Sequence, residues 1–437
     1  MKKDIYRGSR IGYIIEEAAN YFITILLSGA YLAKLTQELG FSDSLTAILS
    51  AFITVGCSFQ MLALVFFRKG RVKRKVTAFY TINEILFALL YFVPVFGISK
   101  ELKTFLFIVF LLFGYMLLNS ASAPRANWFM SLIPDRTRGK FTAVKEAISL
   151  VGGIAFQFIV SDVIDKYEAS GDMRTAFIIC GTTIFLLTVI HTLSLLLSKE
   201  KEPAPKKEQS FKKDFIDVFK DKRARSAIII SSLWGVCNSI SVPFYGTYMI
   251  KELGFSMFFV AVMSFVYAVS RILASIFLGA YADRTSFAKM MRVGYILVAT
   301  GFLIATFMTP SNGHITYTIY YTLYAAAMGG LNSAELNIIY DCVAPERRAN
   351  ALCIKQTVYG LSAFVTTLAA SSLLSYIQNS GNRFLGMSIY AQQVLSAIAF
   401  VLTILLIFYL SSHMKKIGKK DNKNEQQIQS EQLQKPC

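Results

Sequence analysis

The sequence alternates between long apolar runs and short basic connections. Each apolar run is close to the ~20 residues that a helix needs to cross ~30 Å of hydrocarbon. Nearly all of the 45 Lys and Arg residues lie in the connections and tails or at their borders, and Arg125, Lys145, Arg271 and Lys355 are the four that are counted with the runs. The pattern predicts an all-α membrane protein. Its twelve predicted spans, one to twelve in chain order, are residues 13–33, 44–67, 76–97, 104–125, 141–163, 174–197, 225–249, 257–281, 293–310, 315–340, 351–377 and 384–410.

The basic residues outside the spans are distributed unevenly. Odd-numbered connections hold seven of them, whereas the even-numbered connections and both tails hold 34. Because positive residues are retained on the cytoplasmic side, we expect a multi-pass protein of the cell membrane with both termini in the cytoplasm. The formal charge of +18 is then an orientation signal, and a lipid bilayer rather than a nucleic acid is the expected partner.

The chain divides into two similar halves. A polar, proline-containing stretch at residues 198–224 predicts a cytoplasmic linker between six spans in residues 1–197 and six in residues 225–410. Residues 411–437 form a polar tail. Four short matches recur in order at offsets of 214, 213, 211 and 210: Glu38–Ser42 with Glu252–Ser256, Asn119–Ala121 with Asn332–Ala334, Pro134–Arg136 with Pro345–Arg347, and Lys145 with Lys355. These matches predict a parallel duplication.

Polar side chains recur at helical spacing in spans one, four, seven and ten. Bilayer-facing surfaces should be apolar, so such stripes indicate an interior face. Aromatic rings beside amides suit a solute with apolar faces and polar edges, although small hydroxyl residues also pack membrane helices together. The predicted solute-binding residues are Asn20, Thr24, Tyr31, Asn119, Ser122, Trp234, Asn238, Ser241, Tyr245, Tyr324 and Asn332.

Several charged side chains fall at membrane depth, where a charge is costly unless it is paired. Glu17 and Glu335 lie on polar stripes, and Glu146 heads a further stripe in span five. A buried carboxyl group that exchanges a proton would suit coupling to a proton gradient, whereas a structural ion pair is the alternative. The predicted coupling or buried-charge residues are Glu17, Glu146, Glu335, Arg125, Lys145 and Lys355.

The cysteines and histidines predict neither a metal site nor catalysis. The six cysteines show no ligand spacing, so we expect no disulfide, no metal and no cofactor. The three histidines, His191, His314 and His413, are scattered over a span, a connection and the tail. We therefore do not expect an enzyme.

Residues Gly279–Arg284, with sequence GAYADR, resemble the cytoplasmic loop signature of the major facilitator superfamily. The loop Pro134–Lys140 is similar to that family's connection into span five, and Arg68–Lys75 keeps the basic run but lacks the Asp. The resemblance implies two pseudo-symmetric six-helix bundles with spans one, four, seven and ten around a central cavity. It also implies alternating access, with Asp283 and Arg284 in a gating loop.

Together these features favour a secondary transporter of a small organic solute, proton-coupled and monomeric. Uptake of a sugar or sugar-like solute is the leading hypothesis. Drug or metabolite efflux by proton antiport is the alternative within the same class. A non-transporting membrane receptor is the alternative from another class.

Overall fold

The computed structural model describes residues 4–62, 66–67, 71–134, 137–201, 219–220, 222–343, 348–384 and 386–417. Most of the predicted linker, the end of the tail, Asp135, Arg136 and Pro345–Arg347 lie outside these residues. Within the described residues the fold is nearly all helical. Many large apolar side chains are exposed on its outer surface, for example Leu197 and Phe277 at 82% and 73%. An apolar exterior is what a bilayer-facing helix surface requires.

Most of the helices overlap predicted spans. The first half contains α-helices at Arg7–Leu26, Gly29–Glu38, Asp43–Ser50, Phe52–Ser58, Lys73–Phe92, Lys100–Ser131, Arg138–Ala169 and Met173–Leu197, with 3₁₀ turns at Phe59–Leu62 and Val93–Val95. The second half contains α-helices at Lys222–Ser239, Tyr245–Thr247, Met257–Arg284, Phe287–Thr306, Gly313–Cys342, Arg348–Asn379 and Ala391–Ile417, with a 3₁₀ turn at Val242–Phe244 and a π-turn at Tyr248–Glu252.

Not every predicted span corresponds to a helix that is long and apolar enough to cross a membrane. Nine helices in the described residues pass that test, and ten do if the bent pair Arg7–Leu26 and Gly29–Glu38 is one span. Span two is divided into short helices within Asp43–Ser58, and the polar Gly313–Cys342 is not among those that pass. Span twelve starts later than predicted, because Arg383–Phe384 and Met387–Ser388 pair as short antiparallel strands and the helix begins at Ala391.

Span one is broken near its middle. The helix bends by 49° between Leu26 and Gly29, whose φ of +55° is left-handed and suits glycine. The break frees carbonyl groups that need donors inside the membrane. The Tyr91 and Tyr115 hydroxyls donate to the Leu26 and Leu27 carbonyls at 2.6 and 3.2 Å. Two tyrosine hydroxyls from other spans thus satisfy carbonyl groups that the break leaves free.

Span seven is broken at the equivalent place. Its α-helix ends at Ser239 and gives way to the 3₁₀ turn that contains Pro243. The Thr367 hydroxyl donates to the Ser239 carbonyl at 3.2 Å, and the Gln392 amide donates to the Ser241 carbonyl at 3.1 Å. At the offset of 214, Ser28 corresponds to Val242, so the break itself is part of the duplication.

The repeated Glu-Leu-Gly-Phe-Ser motif has one conformation in both halves. Gly40 and Gly254 end a helix with φ of +66° and +65°. Ser42 and Ser256 then cap the next helix by accepting from the Leu45 and Phe259 amides. The matching pair of helix stops and starts agrees with the duplication inferred from the sequence.

Polar contacts join the two halves at the end of the bundle that carries the odd-numbered connections. Asp43 pairs with Lys251 at 2.5 Å. Asp165 accepts from the amides of Met257 and Phe258 at 2.8 Å each. Gly246 lies so close to Gly29 that a Cβ there would stand 2.6 Å from the Gly29 carbonyl oxygen. This end of the bundle is closed.

Candidate functional site

Six charged or titratable side chains meet inside the first half. This N-half charge cluster comprises Glu16, Glu17, Glu84, Arg125, Lys145 and His191, from spans one, three, four, five and six. Removing each ion from water costs several kcal/mol, so the cluster persists only because its members neutralise one another.

Arg125 is the centre of the cluster. Its Nη1 atom lies 2.5 Å from Glu16 Oε2, and its Nη2 atom lies 2.8 Å from Glu17 Oε2. The guanidinium group also stands 5.0 Å from the centre of the Tyr80 ring. A planar fork of donors suits two carboxylates at once.

Lys145 completes the surroundings of Glu17. Its ammonium nitrogen lies 2.9 Å from Glu17 Oε1 and 5.0 Å from the centre of the Tyr13 ring. Glu17 therefore faces two cations, and its side chain keeps 25% of its surface exposed. It is the member of the cluster that remains accessible.

His191 and Glu84 extend the cluster into the protein interior. Both side chains are fully buried, and the imidazole contacts Glu84 through Nδ1 and Glu16 through Nε2. The predicted coupling residues do not include this pair, because His191 is one of three scattered histidines and span three has no polar stripe beside Glu84. The available signal was that each is a titratable group deep within an otherwise apolar run.

Glu146 is not buried, contrary to the prediction from the sequence. The sequence placed it among the buried charges, but its side chain is exposed on span five. Lys145, its neighbour, is 7% exposed and turns inward instead. Adjacent helical residues point about 100° apart, so the two cannot share one face.

The second half contains a simpler pair at the equivalent depth. Lys355 lies 2.6 Å from Glu335 Oε2, and the lysine is 6% exposed. Lys145 and Lys355, which match in the duplication, thus each contact a carboxylate. Arg271 differs, because it is exposed on span eight and forms no ion pair with a described residue.

Four of the predicted solute-binding side chains pack within their own half. Trp234 is buried and its ring lies 5.4 Å from that of Tyr295 in span nine. The hydroxyls of Ser241 and Tyr245 contact Ser396 in span twelve, and the Tyr31 hydroxyl contacts Ser161 in span five. These four side chains therefore contact neighbouring helices in this conformation. Helix packing is the alternative to solute binding that the sequence analysis named.

The other predicted solute-binding residues keep accessible surface. Tyr324 donates to the Asn238 side chain at 2.8 Å and so joins spans ten and seven. Asn332 is exposed. The half-exposed members of this set are Asn20, Thr24, Asn119, Ser122, Asn238 and Tyr324.

The predicted gating residues lie at the end of span eight. Asp283 and Arg284 are exposed in the last turn of Met257–Arg284, and neither forms an ion pair with a described residue. No group of three or more His, Cys, Asp or Glu residues in the described part of the chain is arranged to hold a metal ion.

Comparisons with known proteins agree with this architecture. The model of the Major Facilitator Superfamily matches residues 17–367 and 236–433. A mutant form of the nucleoside transporter NupG is 16% identical, with 92% of this chain and 99% of that chain covered and a TM-score of 0.72. A D-xylose-proton symporter is 13% identical, with coverage of 91% and 96% and a TM-score of 0.70.

A peptide transporter of the POT family has a TM-score of 0.67 at 13% identity, over 92% of this chain and 96% of its own. A comparison with curated proteins gives no match. At these identities the structural likeness concerns the fold. Because the family model spans most of the sequence, this chain belongs to the Major Facilitator Superfamily and is a membrane transporter.

Proposed function

We propose that the protein is a proton-coupled transporter that imports a small, hydroxylated organic solute into the cytoplasm. The observation that carries the proposal is the N-half charge cluster. It holds three carboxylates against two permanent cations, and one member, Glu17, remains accessible. Buried carboxyl groups in membrane spans are the usual sites of proton relays.

The accessible polar side chains support a solute with hydroxyl groups. Asn238 and Tyr324 offer amide and hydroxyl groups beside aromatic rings, with the Tyr320 and Tyr324 ring centres 5.9 Å apart. The fold is shared with proteins named as a nucleoside transporter and a xylose-proton symporter. Both names refer to solutes that contain a sugar, which is consistent with the proposed class.

The proposed orientation follows the basic residues. If both termini are in the cytoplasm, the closed end of the bundle faces the outside. Solute and proton would then bind from outside after the two halves rock, and leave on the cytoplasmic side.

Uptake into proteoliposomes tests the function. Purified protein is reconstituted and offered a panel of labelled neutral sugars, nucleosides and sugar acids with an imposed proton gradient. Sugar acids are included because Arg271, exposed on span eight, would attract a carboxylate. Accumulation that collapses with a protonophore supports the proposal. Exchange without accumulation would remove the coupling, and accumulation on reversing the gradient would favour efflux by antiport.

A binding test assigns the polar face. Asn238→Ala should weaken solute affinity by about tenfold, the usual consequence of losing one well-placed hydrogen bond. Trp234→Phe is the control, because Trp234 packs on Tyr295 away from accessible surface. Equal weakening by both variants would show that the effect is on packing.

A further inference from the structure

His191 contacts one carboxylate with each ring nitrogen. The Nε2 atom lies 2.9 Å from Glu16 Oε2, and the Nδ1 atom lies 2.5 Å from Glu84 Oε1. All three side chains have no exposed surface. The contacts join spans one, three and six, so they are fixed by the packing of the bundle.

The two contacts differ in kind. The Nε2 contact with Glu16 is a hydrogen bond, whereas Nδ1 and Glu84 are close enough for an ion pair but form no aligned hydrogen bond. A neutral imidazole that donates its single N–H group to Glu16 has a lone pair on Nδ1. That nitrogen would repel a carboxylate oxygen 2.5 Å away. A second proton must therefore reside on the imidazole or on one of the carboxyl groups.

Counting charges across the N-half cluster gives the same result. Three carboxylates oppose Arg125 and Lys145, and the second proton on the His191 contacts brings the total to zero. Without that proton the cluster would carry one uncompensated negative charge in a buried site, which costs several kcal/mol. The neighbouring Tyr80 ring, 5.2 Å from the His191 ring, supplies no counter-charge.

The three carboxylates of the cluster differ in their cationic partners. Glu16 has Arg125 at 2.5 Å, and Glu17 has both Arg125 and Lys145. Glu84 has His191 as its ion-pair partner, and no cationic Lys or Arg among the described residues lies within ion-pair distance of it. The exchangeable proton therefore belongs to Glu84 and His191.

We propose, on the basis of the proposed function, that the Glu84–His191 pair is the proton-binding site and that Glu17 is a permanent anion. Both members of the pair are occluded in this conformation, so the proton is held away from water until the bundle rearranges. Loss of the proton leaves a negative charge behind Glu16. Arg125, which is shared between Glu16 and Glu17, is then drawn toward the interior, and its contact with Glu17 weakens.

Infrared difference spectroscopy of lipid-reconstituted protein during a pH titration tests the proposal without a solute. It records the C=O band of a protonated carboxyl group and the ring bands of imidazolium. We expect the wild type to show a signal from the Glu84–His191 pair in addition to the signals of exposed carboxyl groups and of His314 and His413. Glu84→Gln should abolish it, because the side chain keeps its shape but neither binds a proton nor leaves a net charge. The matched control Glu146→Gln should keep it, because Glu146 is exposed on span five outside the cluster.

Survival of the signal in Glu84→Gln, or its loss in Glu146→Gln, would overturn the assignment. If Glu84→Gln does not fold, His191→Gln replaces it. The imidazolium contribution of His191 should then be lost while the carboxyl band persists, and a spectrum unchanged from wild type would contradict the proposal.

Transport separates this inference from the proposed function. Glu84→Gln should lose gradient-driven accumulation and keep solute exchange. A wild type without gradient-driven flux, but with a titrating signal that depends on Glu84, would leave the proton site standing and remove the coupling.

Discussion

The buried charges of the first half depend on a single side chain. Arg125 is the group that bridges Glu16 to Glu17, and it is 7% exposed. At such a site the net value of the ion pairs is modest, but removal of one partner leaves the others unpaired. The arginine is therefore needed for stability whether or not it moves during transport.

Arg125→Gln should lower the free energy of unfolding by about 3–5 kcal/mol, as expected when one partner of a buried ion pair is removed. The measurement is thermal or denaturant unfolding of the purified protein in detergent. Arg284→Gln is the control, because Arg284 is exposed at the end of span eight. Equal stability of Arg125→Gln and wild type would show that Glu16 and Glu17 are neutral without it.

At the scale of helices, interrupted helices and a helix cap bring the two halves together at one end of the bundle. Spans one and seven both interrupt their helices, and their backbones approach at Gly29 and Gly246. Asp165, at the end of span five, caps the first turn of span eight in the other half. These contacts close one end of the bundle, so altering them should shift the balance between its two open states.

Asp165→Ala should favour opening of the closed end. Loss of a helix cap costs about 1 kcal/mol, so exposure of that end should rise roughly fivefold. The reporter is thiol labelling of Ser371→Cys, a position 2% exposed that donates to the Ser44 carbonyl of the other half. Asp162→Ala is the control, because Asp162 is exposed on the same helix. Similar labelling of the two variants would contradict the capping role.

Gly246→Val should prevent closure of the same end. Its Cβ would stand 2.6 Å from the Gly29 carbonyl oxygen, a backbone atom that cannot move aside cheaply. Labelling of Ser371→Cys should then approach completion. Gly279→Val is the matched control, since no atom lies within 4 Å of a Cβ there. Wild-type protection in Gly246→Val would mean that the two helices separate without opening the end.

At the scale of the whole molecule, the two halves share a fold and differ in content. The first half holds the six-member charge cluster, whereas the second half holds the Glu335–Lys355 pair. The second half also contains a group of packed tyrosines, with the Tyr245 and Tyr320 ring centres 4.6 Å apart. The two halves thus differ most in their buried charges, six side chains in one and a single ion pair in the other.

The orientation of the molecule in the membrane is a prediction from its basic residues. Ser311→Cys, in an odd-numbered connection, should react with an impermeant maleimide added to intact cells. Thr285→Cys, in an even-numbered connection, should react only after permeabilisation. Both positions are exposed, so access depends on the side of the membrane and not on burial. The reverse labelling would invert the proposed topology.

Local patterns in the sequence determined the helical membrane architecture, the superfamily and the repeated motifs. Apolar length, basic connections and the glycine and serine of each Glu-Leu-Gly-Phe-Ser motif act over a few residues, and the structure places both motifs in one conformation. Lys145 and Lys355 could be identified as needing carboxylate partners, because an unpaired charge at that depth is costly.

Only the tertiary structure decided which groups meet. His191 and Glu16 are 175 positions apart in the chain, and their contact depends on how spans one and six pack. The same packing turned Trp234 toward Tyr295 and left Glu146 exposed. Helical periodicity shows which residues share a face, but not which neighbour that face meets. The partners of the buried charges therefore had to come from the folded bundle.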